Sequence, residues 1–304
     1  MKFRAFTAVL LLFALLLTNP VAAFSSAEIE KEIALGKKVS EDVEKMWERV
    51  ADPALSARLS MLLGRFLPHM ARPLPYEVRV VREKTHNAFS LPGGIIYFTT
   101  GMLDFLRTDA EIAAILAHEL IHADNRHVMI QTARASKINL AALALLIASQ
   151  GSAGPMILTS LVQVAVTNSY SKDLEREADK EGFRILVEAG FPPAAMVTAL
   201  EAMNYDQLKR PYVDPGVYMT HPDLPDRIAY IVKTADDRKI PVRRKYDLNL
   251  LRTSVETSEG RVTLALDGKQ VWSLPATEEG REVLLEAAKK IEENLQMETA
   301  PYEI

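Results

Sequence analysis

The sequence predicts an α+β chain, mainly helical, with one small mixed sheet and a small αβ module near its C-terminal end. Three observations predict it. Apolar residues recur at helix spacing over most of the chain, the period falls to two between Tyr76 and Thr99, and the pattern changes again beyond Ile240. The 304 residues suit one large domain with an appendage, and 48% hydrophobic with 25% charged residues exclude a disordered or fibrous chain.

The elements follow in chain order. Lys2 and Arg4 precede an apolar run from Ala5 to Leu17, and Asn19, Pro20 and Val21-Ala22-Ala23 follow in the order of a signal peptide cleaved after Ala23. The expected division is therefore signal peptide 1–23, main domain 24–239 and module 240–304. From Ser26 to Met70, Ile29, Ile33, Val43, Leu55, Leu59 and Leu62 predict two helices broken at Asp52 and Pro53. Tyr76 to Arg82, Asn87 to Leu91 and Ile95 to Thr99 read as strands, with Pro92, Gly93 and Gly94 as the turn. Thr108 and Glu111 form a capping box that opens one helix running into the 130s.

Two apolar stretches follow, Ile138 to Ala148 and Met156 to Val166, each shorter than the roughly 20 residues that cross a bilayer. They predict a buried helical hairpin; the functional alternatives are a flap over the active site or a surface touching lipid or unfolded chains. Helices are expected from Ser171 to Ala189, from Pro192 to Asn204 and from Asp223 to Thr234. In the module, Asp267-Gly268 marks a hairpin and Glu278 to Gln296 an amphipathic helix.

Composition narrows the function. Net charge is −4 with no basic block, so nucleic acid is not an expected partner. With no cysteine, any metal must be held by histidine and carboxylate. His118-Glu119-Leu120-Ile121-His122 supplies two imidazoles one helical turn apart on one face. Glu119, about 100° further round the helix, stands beside the metal and can take a proton from an attacking water. A catalytic zinc needs a third protein ligand. The metzincin positions hold Val128 and Asn125, and His127 lies about 140° from His122, which suits a structural or supporting role. The remaining candidates are Glu175 and Asp179, four apart on one helix face, so that one can bind metal while the other accepts the outer N–H of a ligating histidine.

Four ordered motifs then carry a resemblance: Asn87-Ala88-Phe89-Ser90-Leu91-Pro92-Gly93-Gly94, His118 to His122 with Arg126-His127, Tyr170-Ser171 with Glu175 to Asp179, and Thr220-His221-Pro222 with Arg227. The chain resembles the gluzincin metallopeptidases that include HtpX, BepA and LoiP, mitochondrial Oma and the type I CAAX prenyl proteases. That resemblance implies a zincin-like fold with one Zn²⁺ on His118, His122 and Glu175, Glu119 as general base, Asp179 behind the ligands, and a substrate lying along the edge strand at Asn87, Ala88 and Phe89. It also implies that His221 lies near the metal, to steady the oxyanion or to fill the open metal position, and that Arg227 binds the oxyanion or ties its helix to a carboxylate. The expected function is a soluble, exported, periplasmic zinc endopeptidase acting on unfolded envelope proteins. The rival is a chaperone or assembly factor with latent proteolysis, whose segment Ile138 to Val166 touches client chains or a membrane surface.

Overall fold

A computed structural model describes residues 26–148, 154–166, 170–209, 221, 223–244, 252–258 and 260–295. The expected signal peptide, Thr220 and Pro222 lie outside the described residues. The chain opens with α1 (Ser26–Met46) and α2 (Pro53–Phe66). Asp52 separates them as expected, its carboxylate accepting the N–H groups of Ala54 and Leu55 while Pro53 takes the first helical position.

The first sheet holds β1 (Glu77–Val81), β2 (Ala88–Ser90) and β3 (Ile95–Thr99), in the order β1-β3-β2. β1 runs parallel to β3 and β2 antiparallel to it, which makes the sheet mixed and β2 an edge. The β2–β3 turn needs left-handed backbone, supplied by Gly93 and Gly94 at φ 80° and 93°. After α3 (Thr100–Phe105), Thr108 Oγ1 accepts the Glu111 N–H and caps α4 (Asp109–Asp124). Every residue of α4 from Glu111 onward is buried, because the helix is wedged between the sheet and the helices that follow.

The single helix expected from Thr108 into the 130s is two. α4 ends at Asp124, Arg126 adopts left-handed φ 61°, and α5 (His127–Ala135) begins in a new direction. The break is fixed by tertiary partners: the Asp124 carboxylate accepts the N–H groups of Ala71 and Arg72 and the Tyr76 hydroxyl, while Glu32 pairs with Arg126. The apolar hairpin is α6 (Leu140–Ala148) and α7 (Gly154–Val166). Leu143, Leu161, Val164 and Ala165 are buried, whereas Leu145 and Met156 are exposed, so the expected burial holds for one face. Among the described residues no helix is long and apolar enough to cross a membrane.

Next come α8 (Lys172–Glu188), α9 (Ala194–Lys209) and α10 (Leu224–Asp237). Two apolar cores result. One packs α2, α4, α8, α9 and α10 around Phe66, Leu116 and Phe183; the other packs α1, α5 and α7 on the far face of the sheet around Phe89, Tyr97 and Leu161. The C-terminal module is an antiparallel sheet of β4 (Thr253–Ser258), β5 (Arg261–Leu266) and β6 (Lys269–Pro275), with α11 (Glu278–Leu295) laid across it over a small core of Val262, Leu264, Leu284 and Ala288. Asp267 and Gly268, both at positive φ, make the expected β5–β6 turn. The whole is the mainly helical α+β, zincin-like architecture expected.

Candidate active site

α4 presents His118 and His122 on one face, and their Nε2 atoms lie 3.0 Å apart. α8 crosses that face at Gly182, where an added Cβ would sit 3.3 Å from the backbone of His118; the missing side chain lets the two helices close. Glu175, one turn into α8, then reaches both rings, with Oε1 3.4 Å from His122 Nε2 and Oε2 3.6 Å from His118 Nε2. His221, just before α10, enters from the third side with Nδ1 2.8 Å from Glu175 Oε1 and 3.2 Å from His118 Nε2. One donor atom from each of His118, His122, Glu175 and His221 lies within 4.8 Å of the other three, and all four residues are buried.

The surroundings fix how these groups point. Asp179, one turn after Glu175, places Oδ1 3.1 Å from His118 Nδ1 and so holds the proton of that ring on the side away from the cluster. Arg227 of α10 donates through Nε and Nη2 to the two Asp179 oxygens at 2.9 and 2.7 Å, and its Nη1 lies 3.2 Å from Glu175 Oε2. Tyr170 stacks on the His122 ring with centroids 4.1 Å apart. Glu119 Oε1 lies 3.4 Å from His221 Nε2. All the expected site residues of α4, α8 and α10 thus meet His221 at one place.

Electrostatics separates the two central carboxylates. Burial alone would raise Glu175, but the charges of His221 and Arg227 hold it well below the usual carboxylate range. Asp179 is likewise lowered despite burial, first by Arg227. Glu119 is raised, because burial outweighs the favourable charges of His221 and His118. Burial pushes His122 well below the ordinary imidazole range, leaving it neutral with a lone pair to give.

The donor set suits a divalent cation. Two imidazole nitrogens and a carboxylate oxygen converge, and Glu119 Oε2 and His221 Nε2 are buried with no hydrogen-bond partner among the described residues. Buried polar atoms left this way are costly, and a cation with a water molecule would satisfy them.

Asn87, just before β2, and Ala88 and Phe89 on it are buried. Thr99 N–H donates to Asn87 O and Leu91 N–H to Ile95 O, so alternation turns the main-chain groups of Ala88 and Ser90 away from β3, toward the outer side of the strand. The Asn87 side-chain amide donates to Val166 O at 3.4 Å, tying the end of α7 to the strand. Sequence reasoning assigned no role to Gly182 or to the Tyr170 ring. The signal for both is position, one turn beyond Asp179 and just before the N-terminus of α8, and it gains meaning only once α8 is known to cross α4.

Residues 53–235 match the description of peptidase family M48. The chain belongs to that family. It is 28% identical over 216 residues to the putative beta-barrel assembly-enhancing protease of Vibrio cholerae, an overlap of 68% of this chain and 44% of that protein. It is 26% identical over 264 residues to the beta-barrel assembly-enhancing protease of Escherichia coli K12, covering 83% of this chain and 54% of the relative. The mitochondrial metalloendopeptidase OMA1 of Arabidopsis thaliana is 33% identical over 131 residues, 43% of this chain and 26% of its own length. The chain spans about half the length of the assembly-enhancing proteases it matches. The resemblance carried by the four sequence motifs agrees with this membership.

Proposed function

We propose that this chain is an exported, periplasmic zinc metalloendopeptidase that hydrolyses peptide bonds of unfolded or misassembled envelope proteins. The observation that carries the reading is the convergence of four buried donor atoms on one point, with the Glu119 carboxylate alongside, in a chain of a peptidase family. Zn²⁺ is the metal of choice because imidazole and carboxylate ligands in a set of three suit it, one ion per chain. His118, His122 and Glu175 would hold it. When bound there, zinc supplies a Lewis acid that polarises a scissile carbonyl and acidifies water.

The chain's own residues do the rest. Glu119, raised by burial, takes the proton of the attacking water and delivers it to the leaving amine nitrogen. His221, raised above the ordinary imidazole range by Glu175 and Glu119 against the opposing effect of burial, is the group placed to face a developing oxyanion. Arg227 is already committed to Asp179 and Glu175, which favours the reading that it ties α10 to those carboxylates. Asp179 in turn orients His118. Substrate would add to the outer side of β2 through the main-chain groups of Ala88 and Ser90, which are buried here, a mode that accepts many sequences and suits unfolded chains. The names of the bacterial relatives support envelope substrates, and the ordered signal-peptide features of residues 1–23 support export.

Metal analysis of the purified chain and a casein digest with and without chelator test the core of this reading. Glu119→Gln is expected to keep the metal and to lose cleavage by about 10²–10⁴-fold, the scale of a general base. Undiminished cleavage by that variant overturns the mechanism. A second reading, a chaperone with latent proteolysis, is favoured by the exposure of Leu145 and Met156 on the apolar hairpin, which would meet clients or a membrane surface through Ile138 to Val166. If Glu119→Gln suppresses client aggregation as well as the parent chain does, while the parent shows no digestion, the second reading replaces the first.

A further inference from the structure

We propose that His127 is the positioning residue of the metal centre, its Nδ1 accepting the Nδ1–H of His122 and thereby fixing the tautomer and ring orientation in which His122 Nε2 is free to bind metal. The proposal rests on the metal-site reading above. His127 Nδ1 lies 2.9 Å from His122 Nδ1, the rings are nearly perpendicular at 81°, and both residues have no solvent exposure. Two nitrogens this close share one proton, and its owner follows from the other side of the His122 ring. There Nε2 faces His118 Nε2 at 3.0 Å and Glu175 Oε1 at 3.4 Å, and a ligating nitrogen carries no proton. The proton of His122 is therefore on Nδ1, His127 accepts it, and His127 carries its own proton on Nε2. That atom makes no hydrogen bond among the described residues, and the Glu177 carboxylate stands 3.6 Å away, itself held by Asn125 Nδ2 at 2.7 Å.

The local backbone serves this contact. On a continuous helix His127 would point about 140° away from His122. The break after Asp124 and the left-handed Arg126 swing it back. A non-glycine residue in that conformation is strained, and here Glu32 holds it, with Oε2 2.9 Å from Arg126 Nε. The two ligand histidines thus have different outer partners, a carboxylate behind His118 and a second imidazole behind His122.

The test uses the full chain with two substitutions. His127→Leu removes the acceptor at similar volume and is expected to weaken zinc about 10–100-fold, read by competition with a chromogenic chelator, and to alter the visible spectrum of the Co²⁺ form. His127→Asn places an amide oxygen where Nδ1 stood and is expected to restore most of the affinity. Wild-type zinc affinity in His127→Leu, or equal weakness in both variants, overturns the proposal. Should His127→Leu fail to fold, nitrogen NMR of the zinc-loaded parent decides: a proton on His122 Nδ1 and on His127 Nε2 supports the assignment, and the opposite tautomer of His127 overturns it. A parent chain that binds no zinc overturns the metal-site reading itself, and with it this proposal.

Discussion

Glu32 shows at the scale of one residue how a buried charge organises a site it never touches. Its carboxylate is 3% exposed and accepts two bonds from Arg72, at 3.0 and 2.7 Å, while Arg126 and the Gly93 N–H close on its remaining lone pairs. α1, the loop before β1, the glycine turn and the end of α4 are thereby pinned at one point. Removing one partner of a buried pair strands the other, so Glu32→Ala is expected to lower stability by about 3–5 kcal/mol in urea unfolding. Arg82→Ala, which breaks the exposed pair with Glu48, is expected to change it by less than about 1 kcal/mol. Equal effects of the two would show that burial does not set the value of these pairs. Glu32 was not legible in the sequence, because it sits in a helix rich in charges and its partners lie 40 and more positions away. The meeting of the His118 and His122 rings was legible, because it is set by spacing within one helix turn.

At the scale of elements, the signals that could be read were those that act locally. The Thr108 cap, the Asp52 cap with Pro53, the Gly93-Gly94 turn and the Asp267-Gly268 turn each satisfy backbone groups within a few residues, and each falls where expected. The end of α4 has no glycine or proline to announce it; the break depends on Asp124 bonding to residues 71, 72 and 76, which are distant in sequence. The α4–α8 crossing is of the same kind. Gly182→Ala ordinarily gains about 1 kcal/mol in helix propensity. Here the new methyl meets the His118 backbone at 3.3 Å, and α4 is packed on its other sides and has little room to yield. A net loss of about 1–3 kcal/mol is expected, together with weaker zinc binding as Glu175 is displaced from the imidazoles. A variant with an unchanged unfolding midpoint and unchanged zinc titration would mean that the close approach of the helices does not set the metal geometry.

For the whole molecule, the division into a main domain and a C-terminal module is a proposal that packing can sharpen. The module has its own small core under α11, and none of its core residues belongs to the two cores of the main domain. The segment just before it behaves differently. Ile240 and Val242 pack against the core of α9 and α10, and Arg244 forks onto Glu201 with Nε at 3.0 and 3.1 Å from its two oxygens. Glu201 is 7% exposed, so losing Arg244 leaves a buried carboxylate uncompensated. We therefore place the functional boundary after Arg244, beyond the change of sequence character at Ile240, since hydropathy patterning registers where regular periodicity stops and not where packing does. A chain ending at residue 244 is expected to keep the parent's zinc affinity and to unfold within about 1 kcal/mol of the same domain in the full chain. A chain ending at residue 239 loses Ile240, Val242 and the Glu201 partner together, and is expected to be weaker by at least about 3 kcal/mol. Urea unfolding of the two truncations, followed by the same zinc competition, separates the possibilities. If both are equally stable, the 240–244 strap contributes nothing; if both lose zinc, the module supports the metal site and the two are one folding unit.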